Sequence, residues 1–484
     1  MVSTQRIDAY VSQALVSLAI LSALGIGFIF SKSASALPLF ARQTGQSCLA
    51  CHAGGQFPEL TPYGRLFKLT GYTQGVRTDI PLAVMAVASY AKVSSYNGSD
   101  SSGVDFPRDG TANITTASVF CCGKITDNIG VFAQYTHDLW ASQDASGSWQ
   151  EHSHIDQVDI RYSDRFIDES HDFIYGLSLN NNPGVTDVWN THNSAFAPVS
   201  SYVPAGNAIF SSSALPHDVP ATPILEGLQY SAGLSGYFYL NNALYAEVGT
   251  YKASTSGLSF LHDAGVGGPG ALSTRLSGSF NPYLRLAANH DWNANSLMLG
   301  IHALHASVFD DATLINSNSY STFNDIGMDG QYQYLLDPHA LTLLFSFTHE
   351  NQNYSGYQHT ANSFNPSDTL NYLRAKITYV FRARYGASLA YTQAQGSSDL
   401  GIYGASPAAN TQANLSFNHS PDSKLWVPEV FVMPVQNIRV GLQYFKWSQF
   451  LGGHTYTYYS GLGTPSSRDA SDNNLAFLYV WLAY

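Results

Sequence analysis

From Leu82 to the C-terminus the chain alternates apolar and polar residues at period two in segment after segment, and after Phe30 no apolar run reaches the roughly 20 residues a spanning helix needs. Such alternation places one row of side chains on each face of a strand. Phe173, Tyr175, Leu177 and Leu179 make an apolar face against Gly176, Ser178 and Asn180. Val158, Ile160 and Tyr162 likewise oppose Gln157, Asp159 and Arg161, and Leu284 and Leu286 oppose Arg285 and Asn289. Leu373, Ala375, Ile377 and Tyr379 stand against Arg374, Lys376 and Thr378, while Ile438, Val440, Leu442 and Tyr444 stand against Arg439 and Gln443. A long sheet with one apolar face and one polar, charged face is satisfied by a barrel whose outside meets lipid.

The expected fold is therefore all-β: an outer-membrane antiparallel β-barrel of about 16 strands, an even number as in single-chain bacterial barrels. Short turns at Thr126-Asp127-Asn128, Asn241-Asn242, Trp292-Asn293-Ala294, Asp337-Pro338 and Arg382-Ala383-Arg384 alternate with long Gly/Ser/Asn/Pro-rich loops near 181–222, 252–280, 308–321 and 448–474. Short turns belong in the periplasm and long loops outside, so the N-terminal segment and the last strand are both expected to start from the periplasmic side. The chain ends in an apolar, aromatic strand, Leu475 to Tyr484, which resembles the assembly signal of outer-membrane barrels. Composition agrees: 12% charged residues against 13% aromatic, with 31 tyrosines to furnish interface girdles. A mean hydropathy of -0.08 fits alternating faces. The formal net charge of -12 leaves no basic footprint for nucleic acid.

The N-terminus reads differently. An apolar run from Ala14 to Phe30, followed by Ser33-Ala34-Ser35-Ala36, has the form of a secretory signal over 1–36 with cleavage before Leu37. Cys48-Leu49-Ala50-Cys51-His52 then supplies C-x-x-C-H, the pattern for covalent haem attachment through two thioethers with the histidine as axial ligand. The motif occurs once, so one covalently bound haem c is expected on Cys48, Cys51 and His52, with His52 on the iron. Zinc is the rival occupant, but it wants a fourth ligand close by, and no further Cys or His occurs before Cys121. That later pair, Cys121-Cys122, sits in a strand pattern whose neighbours point to opposite faces, which disfavours an ordinary disulfide between them.

The haem segment, 37–79, is too short to bury a haem alone and carries neither a methionine nor a second histidine. It is expected to dock into the lumen of the barrel, 80–484, and to draw any sixth ligand from the barrel, from Lys68 or from a tyrosine. Met298 and His302 lie opposite Leu297, Leu299 and Ile301 and so face inward; Met298, just after a short turn, is the barrel candidate. Met328 shares a face with Tyr332 and Tyr334 and points to lipid, and Met85 has no assignable face.

Ala36 to Gly45 before the motif, and Phe57 to Tyr72 after it, resemble the fused monohaem cytochrome-porins of iron-oxidising bacteria. The likeness is specific over about 40 residues around the motif; over the barrel it lies in length and architecture. It implies an outer-membrane iron oxidase in which extracellular Fe(II) reduces the haem and the electron passes to a periplasmic carrier, a cytochrome or a copper protein. Cys48, Cys51 and His52 carry over as the haem-binding residues, and no Fe(II) site does. Asp159, Glu247 and Asp329 face the lumen and offer hard oxygen ligands, although pairing with Arg161, Arg285, Arg374 or Arg439 is the plainer account of each. Two further functions use the same parts: a diffusion porin plugged by its haem segment, and a conduit delivering electrons outward. A haem enzyme acting on peroxide would want a distal base, for which no motif is visible.

Overall fold

In the computed structural model the described residues are 39–55, 59–94, 110, 112–143, 149–192, 222–228, 231–254, 258–261, 276–277, 280–310, 319–361, 363–403, 416, 418–454 and 470–484. The signal segment expected over 1–36 lies outside them.

One antiparallel sheet closes on itself. Its strands are β1 (Leu82–Val93), β2 (Ala112–Lys124), β3 (Ile129–Gln143), β4 (Trp149–Ile167), β5 (Asp172–Asn180) and β6 (Ser231–Leu240). There follow β7 (Leu244–Ala253), β8 (Asn281–Trp292), β9 (Asn295–Phe309), β10 (Tyr320–Leu336), β11 (His339–Asn353) and β12 (Ser367–Phe381). The circuit continues through β13 (Tyr385–Gly396), β14 (Ser423–Val435), β15 (Ile438–Phe450), the two-residue β16 (Gly453–His454) and β17 (Leu475–Ala483). Because β16 pairs with β15 alone, sixteen strands form the wall. Strand β17 pairs on one side with β15 and on the other with β1, from Met85 opposite Ala483 to Val93 opposite Leu475, which leaves no open edge.

The faces follow the alternation. Along β9, Met298, His302 and Leu304 are buried inside while Leu299 and Ile301 are exposed outside. Met328 is exposed on the outer wall with Ile326, and Met85 falls on the inner face of β1 with the buried Ala83 and Val87. Outside, Leu177, Leu234, Val248, Leu299, Ile326 and Val430 make an apolar belt, and Trp292, Tyr379, Tyr385 and Tyr484 border it near the short turns. Apolar belt, aromatic border and sealed edges define an outer-membrane β-barrel. The short turns fall between β2 and β3, β4 and β5, β6 and β7, and so on around the wall, all at one end. One expectation about chain direction changes: β1 starts at that end, but β17 starts at the long-loop end, because its Leu475 pairs with Val93, and finishes at the periplasmic end.

Cys121 and Cys122 are joined as a vicinal disulfide, contrary to the expectation drawn from strand parity. Gly123, at φ 72°, follows directly, while the pairing with β3 continues in register through both cysteines.

Candidate functional site

Three short helices lie inside the barrel: α1 (Leu39–Thr44), α2 (Cys48–Cys51) and α3 (Pro62–Leu69). Local sequence starts α3 well. Pro62 occupies its first turn, and the Thr61 hydroxyl caps it by accepting the Gly64 N–H at 3.1 Å. Thr61 also donates to the Ala50 carbonyl, which ties α3 to the haem-motif turn. The two pack so closely that a Cβ on residue 64 would lie 2.2 Å from the Cys51 carbonyl oxygen, so glycine is required there.

Inward-facing wall residues hold this segment. Arg65 donates to Gln331 and Gln333 of β10, both at 2.9 Å, and to Ser296 of β9 at 2.6 Å. Lys376 of β12 pairs with Glu59 at 2.7 Å, and Tyr72 donates to Asp159 of β4 at 2.6 Å. The Gln43 carboxamide oxygen accepts the Lys124 backbone N–H at 2.9 Å. Strands all round the wall thus contribute to docking the segment in the lumen.

Cys48, Cys51 and His52 come together on one turn, the His52 N–H donating to the Cys48 carbonyl at 2.8 Å. Cys48 is buried and Cys51 partly so. Burial raises the Cys48 pKa and, with Cys48 as neighbour, raises Cys51 to about 11. His52 keeps partial exposure as a residue, yet its ring lies deep enough that burial lowers its pKa to about 3. A neutral imidazole is what an axial ligand requires.

The turn opens on a cavity of about 170 Å³, with Leu39, Phe40 and Phe67 on the segment's side and Phe120, Phe132 and Trp481 on the wall. Phe40 stacks on Tyr72 at 5.7 Å between ring centroids. Two thiols and an imidazole at the mouth of an apolar, aromatic cavity suit the attachment of a haem, while about 170 Å³ encloses only part of so large a group. Among the described residues no methionine lines this cavity and His52 is the one histidine on its wall; Lys68 and Tyr72 are there, each already hydrogen-bonded.

Met298 is elsewhere. It faces inward as expected but packs, fully buried, among Leu69, Trp189, Tyr239 and Tyr245, away from the cavity lining. The expected oxygen donors divide. Asp159 is taken by Arg161 at 2.6 Å and by Tyr72 and Ser178. Glu247 accepts from Ser235 at 2.7 Å, from Tyr245 at 2.8 Å and from Thr186 at 3.3 Å. Asp329 pairs with Arg285 through Oδ2 alone. Arg374 reaches Glu226 at 3.5 Å and Arg439 reaches Glu429 at 2.7 Å.

Strand patterns marked a long loop between β5 and β6 but gave no sign that it folds inward. After α4 (Pro183–Thr186) it turns into the lumen, where Asp187 accepts the N–H groups of Trp189, Thr191 and His192 and pairs with Arg285 at 3.0 Å. Further on, α5 (Ile224–Gly227) sets its first N–H groups on wall carboxylates, Ile224 on Glu350 at 2.6 Å and Leu225 on Asp325 at 2.8 Å. Helix termini present free N–H groups of this kind, but the sequence does not say which carboxylates will meet them.

No family model matches the chain, and no curated protein matches it. Among solved structures it is similar to the Pseudomonas putida porin OprB, with a TM-score of 0.46 and 12% identity over 84% of this chain and 94% of that one. The Acinetobacter baumannii channel DcaP is similar with a TM-score of 0.43 and 11% identity, covering 85% and 99%. An anion-selective porin from Comamonas acidovorans is similar with a TM-score of 0.40 and 10% identity, covering 83% and 98%. The chain is a porin-like outer-membrane β-barrel by its own closed sheet and apolar belt.

Proposed function

We propose that the protein is an outer-membrane c-type cytochrome that oxidises extracellular Fe(II) to Fe(III) and passes the electron to a periplasmic carrier, a cytochrome or a copper protein. One observation carries this reading: the turn bearing Cys48, Cys51 and His52 lies within the barrel, at an apolar cavity walled partly by its strands. A haem held there supplies a one-electron centre inside a wall that crosses the membrane. Cys48 and Cys51 would hold it, His52 would offer the iron a nitrogen, and Phe40, Phe67, Phe120 and Phe132 would limit access of water. Each Fe(II) gives up one electron and each carrier takes one, so neither oxygen nor a proton is consumed. Ferric products are poorly soluble near neutrality, and oxidation on the outer side keeps them out of the periplasm.

A plugged porin without iron chemistry is the second reading, and the porin-like architecture itself favours it. Mixing the oxidised, purified protein with Fe(II) under anaerobic conditions separates the two. Reduced-haem bands are expected to appear; their absence under favourable driving force overturns iron oxidation and leaves the plugged porin.

A further inference from the structure

In the lumen, three wall and loop side chains meet, each with one buried polar atom unsatisfied. His192 ends the described part of the infolded β5–β6 connection, His302 projects inward from β9, and Asp329 projects inward from β10. All three are at most 2% exposed, and one ligand atom from each lies within 4.8 Å of the other two. The imidazole rings stand edge to face, their centroids 4.4 Å apart.

The hydrogen bonds around them aim the remaining atoms inward. His192 Nδ1 is held by Glu226 at 3.2 Å, which turns Nε2 toward the cluster. His302 Nε2 is held by Thr348 at 3.0 Å, which does the same for Nδ1. Asp329 Oδ2 takes Thr191 at 2.6 Å and Arg285, leaving Oδ1. His192 Nε2, His302 Nδ1 and Asp329 Oδ1 are buried with no hydrogen-bond partner among the described residues. At 3.8 Å from Asp329 Oδ1, His302 Nδ1 is beyond hydrogen-bond reach, so a shared proton does not satisfy the pair. Leaving such atoms unpaired costs about 1–3 kcal/mol each.

The wall makes room for this group. A Cβ on Gly300 would lie 2.6 Å from Asp329 Oδ1, and one on Gly327 would lie 2.2 Å from His302 Nε2. Charge does not stand against a cation. Asp187, Asp329 and Glu226 offset Arg285, Arg374 and the Lys68 ammonium, which donates to the Asp187 carbonyl, so a cation meets no net positive charge here.

We propose that His192, His302 and Asp329 form a divalent transition-metal site in the lumen. Two imidazoles and one carboxylate with open positions are the donor set that suits Fe(II), and partners on the outer nitrogens are what a ligating histidine normally has. The site lies close to the haem turn: Asn190 lines the haem cavity, and His192 follows two residues later, at most about 7 Å away between Cα atoms. Its role as the place where Fe(II) is oxidised rests on the function proposed above; its capacity to bind a metal does not.

The test uses the full haem-loaded chain in detergent, equilibrated with Co(II), which is distinguishable from haem iron by elemental analysis. Wild type is expected to retain one Co(II) per chain more than His192→Gln or His302→Gln, with the haem spectrum and barrel far-UV signal unchanged in both variants. Equal Co(II) in all three overturns the site. If Co(II) loads the site, Fe(II)-driven haem reduction is expected to slow at least tenfold. Unchanged reduction with Co(II) bound overturns the oxidation role, whereas a Co(II)-free wild type that binds Co(II) on titration but whose haem Fe(II) never reduces overturns the iron-oxidase reading and leaves the metal site standing.

Discussion

Met298 is turned inward, as its neighbours Leu297 and Leu299 require, but facing the lumen differs from facing the haem cavity. Its thioether fills a gap beside Trp189 and Leu69, a usual use of methionine. Met298→Ala is therefore expected to leave the haem ligand-field spectrum unchanged while costing about 2–5 kcal/mol of stability, read from denaturant unfolding of the refolded barrel. A changed spectrum would return Met298 to the iron. Asp329 shows the same limit: its inward direction is legible from alternation, its partner His192 is not, because that residue arrives on a loop 137 positions earlier in the chain. Cys48, Cys51 and His52 are neighbours in the chain, so their meeting at one helical turn and its C-cap follows from spacing alone.

Among the elements, strands were readable because burial on one face and lipid on the other imposes period two along their whole length. The infolded connection imposes no such period. Its path depends on Asp187, which gathers three N–H groups locally and pairs with Arg285, a wall residue 98 positions on that it meets only once the barrel exists. Lys68 joins α3 to this connection, its ammonium donating to the Asp187 carbonyl at 2.7 Å. Burial, and next the charge of Arg161, lowers its pKa to about 8 from an ordinary 10.5. Between those values the unfolded chain holds the extra proton, so stability rises with pH across about 8 to 10.5 and the cost of the buried charge is fully present below 8. Lys68→Met is expected to abolish this rise, about 3 kcal/mol in size. Unfolding midpoints of both proteins followed from pH 7 to about 11 decide it, and parallel pH profiles would contradict it.

At the scale of the molecule, the described lumen is a packed interior. Asp159, Arg161, Glu247 and Arg285 are all at most 1% exposed inside the wall, and buried charges of this kind hold only while paired. The barrel is accordingly expected to show little steady conductance in planar bilayers. Glu59→Ala combined with Arg65→Ala, which removes anchors to β9, β10 and β12, is expected to raise it at least severalfold. A large, stable wild-type conductance with haem bound would show that the segment does not close the pore.

The seam between β1 and β17 has a consequence for how the molecule is made. The cavity at Cys48 and His52 is walled by Ala83 and Val84 of the first strand and by Trp481 and Ala483 of the last. Residues synthesised last therefore complete the enclosure around a turn synthesised among the first. Once that seam zips, Cys48 is buried and beyond the reach of an attachment machinery. If the protein carries the haem proposed above, its loading must come before insertion into the membrane, and a chain that closes empty is committed to remaining so.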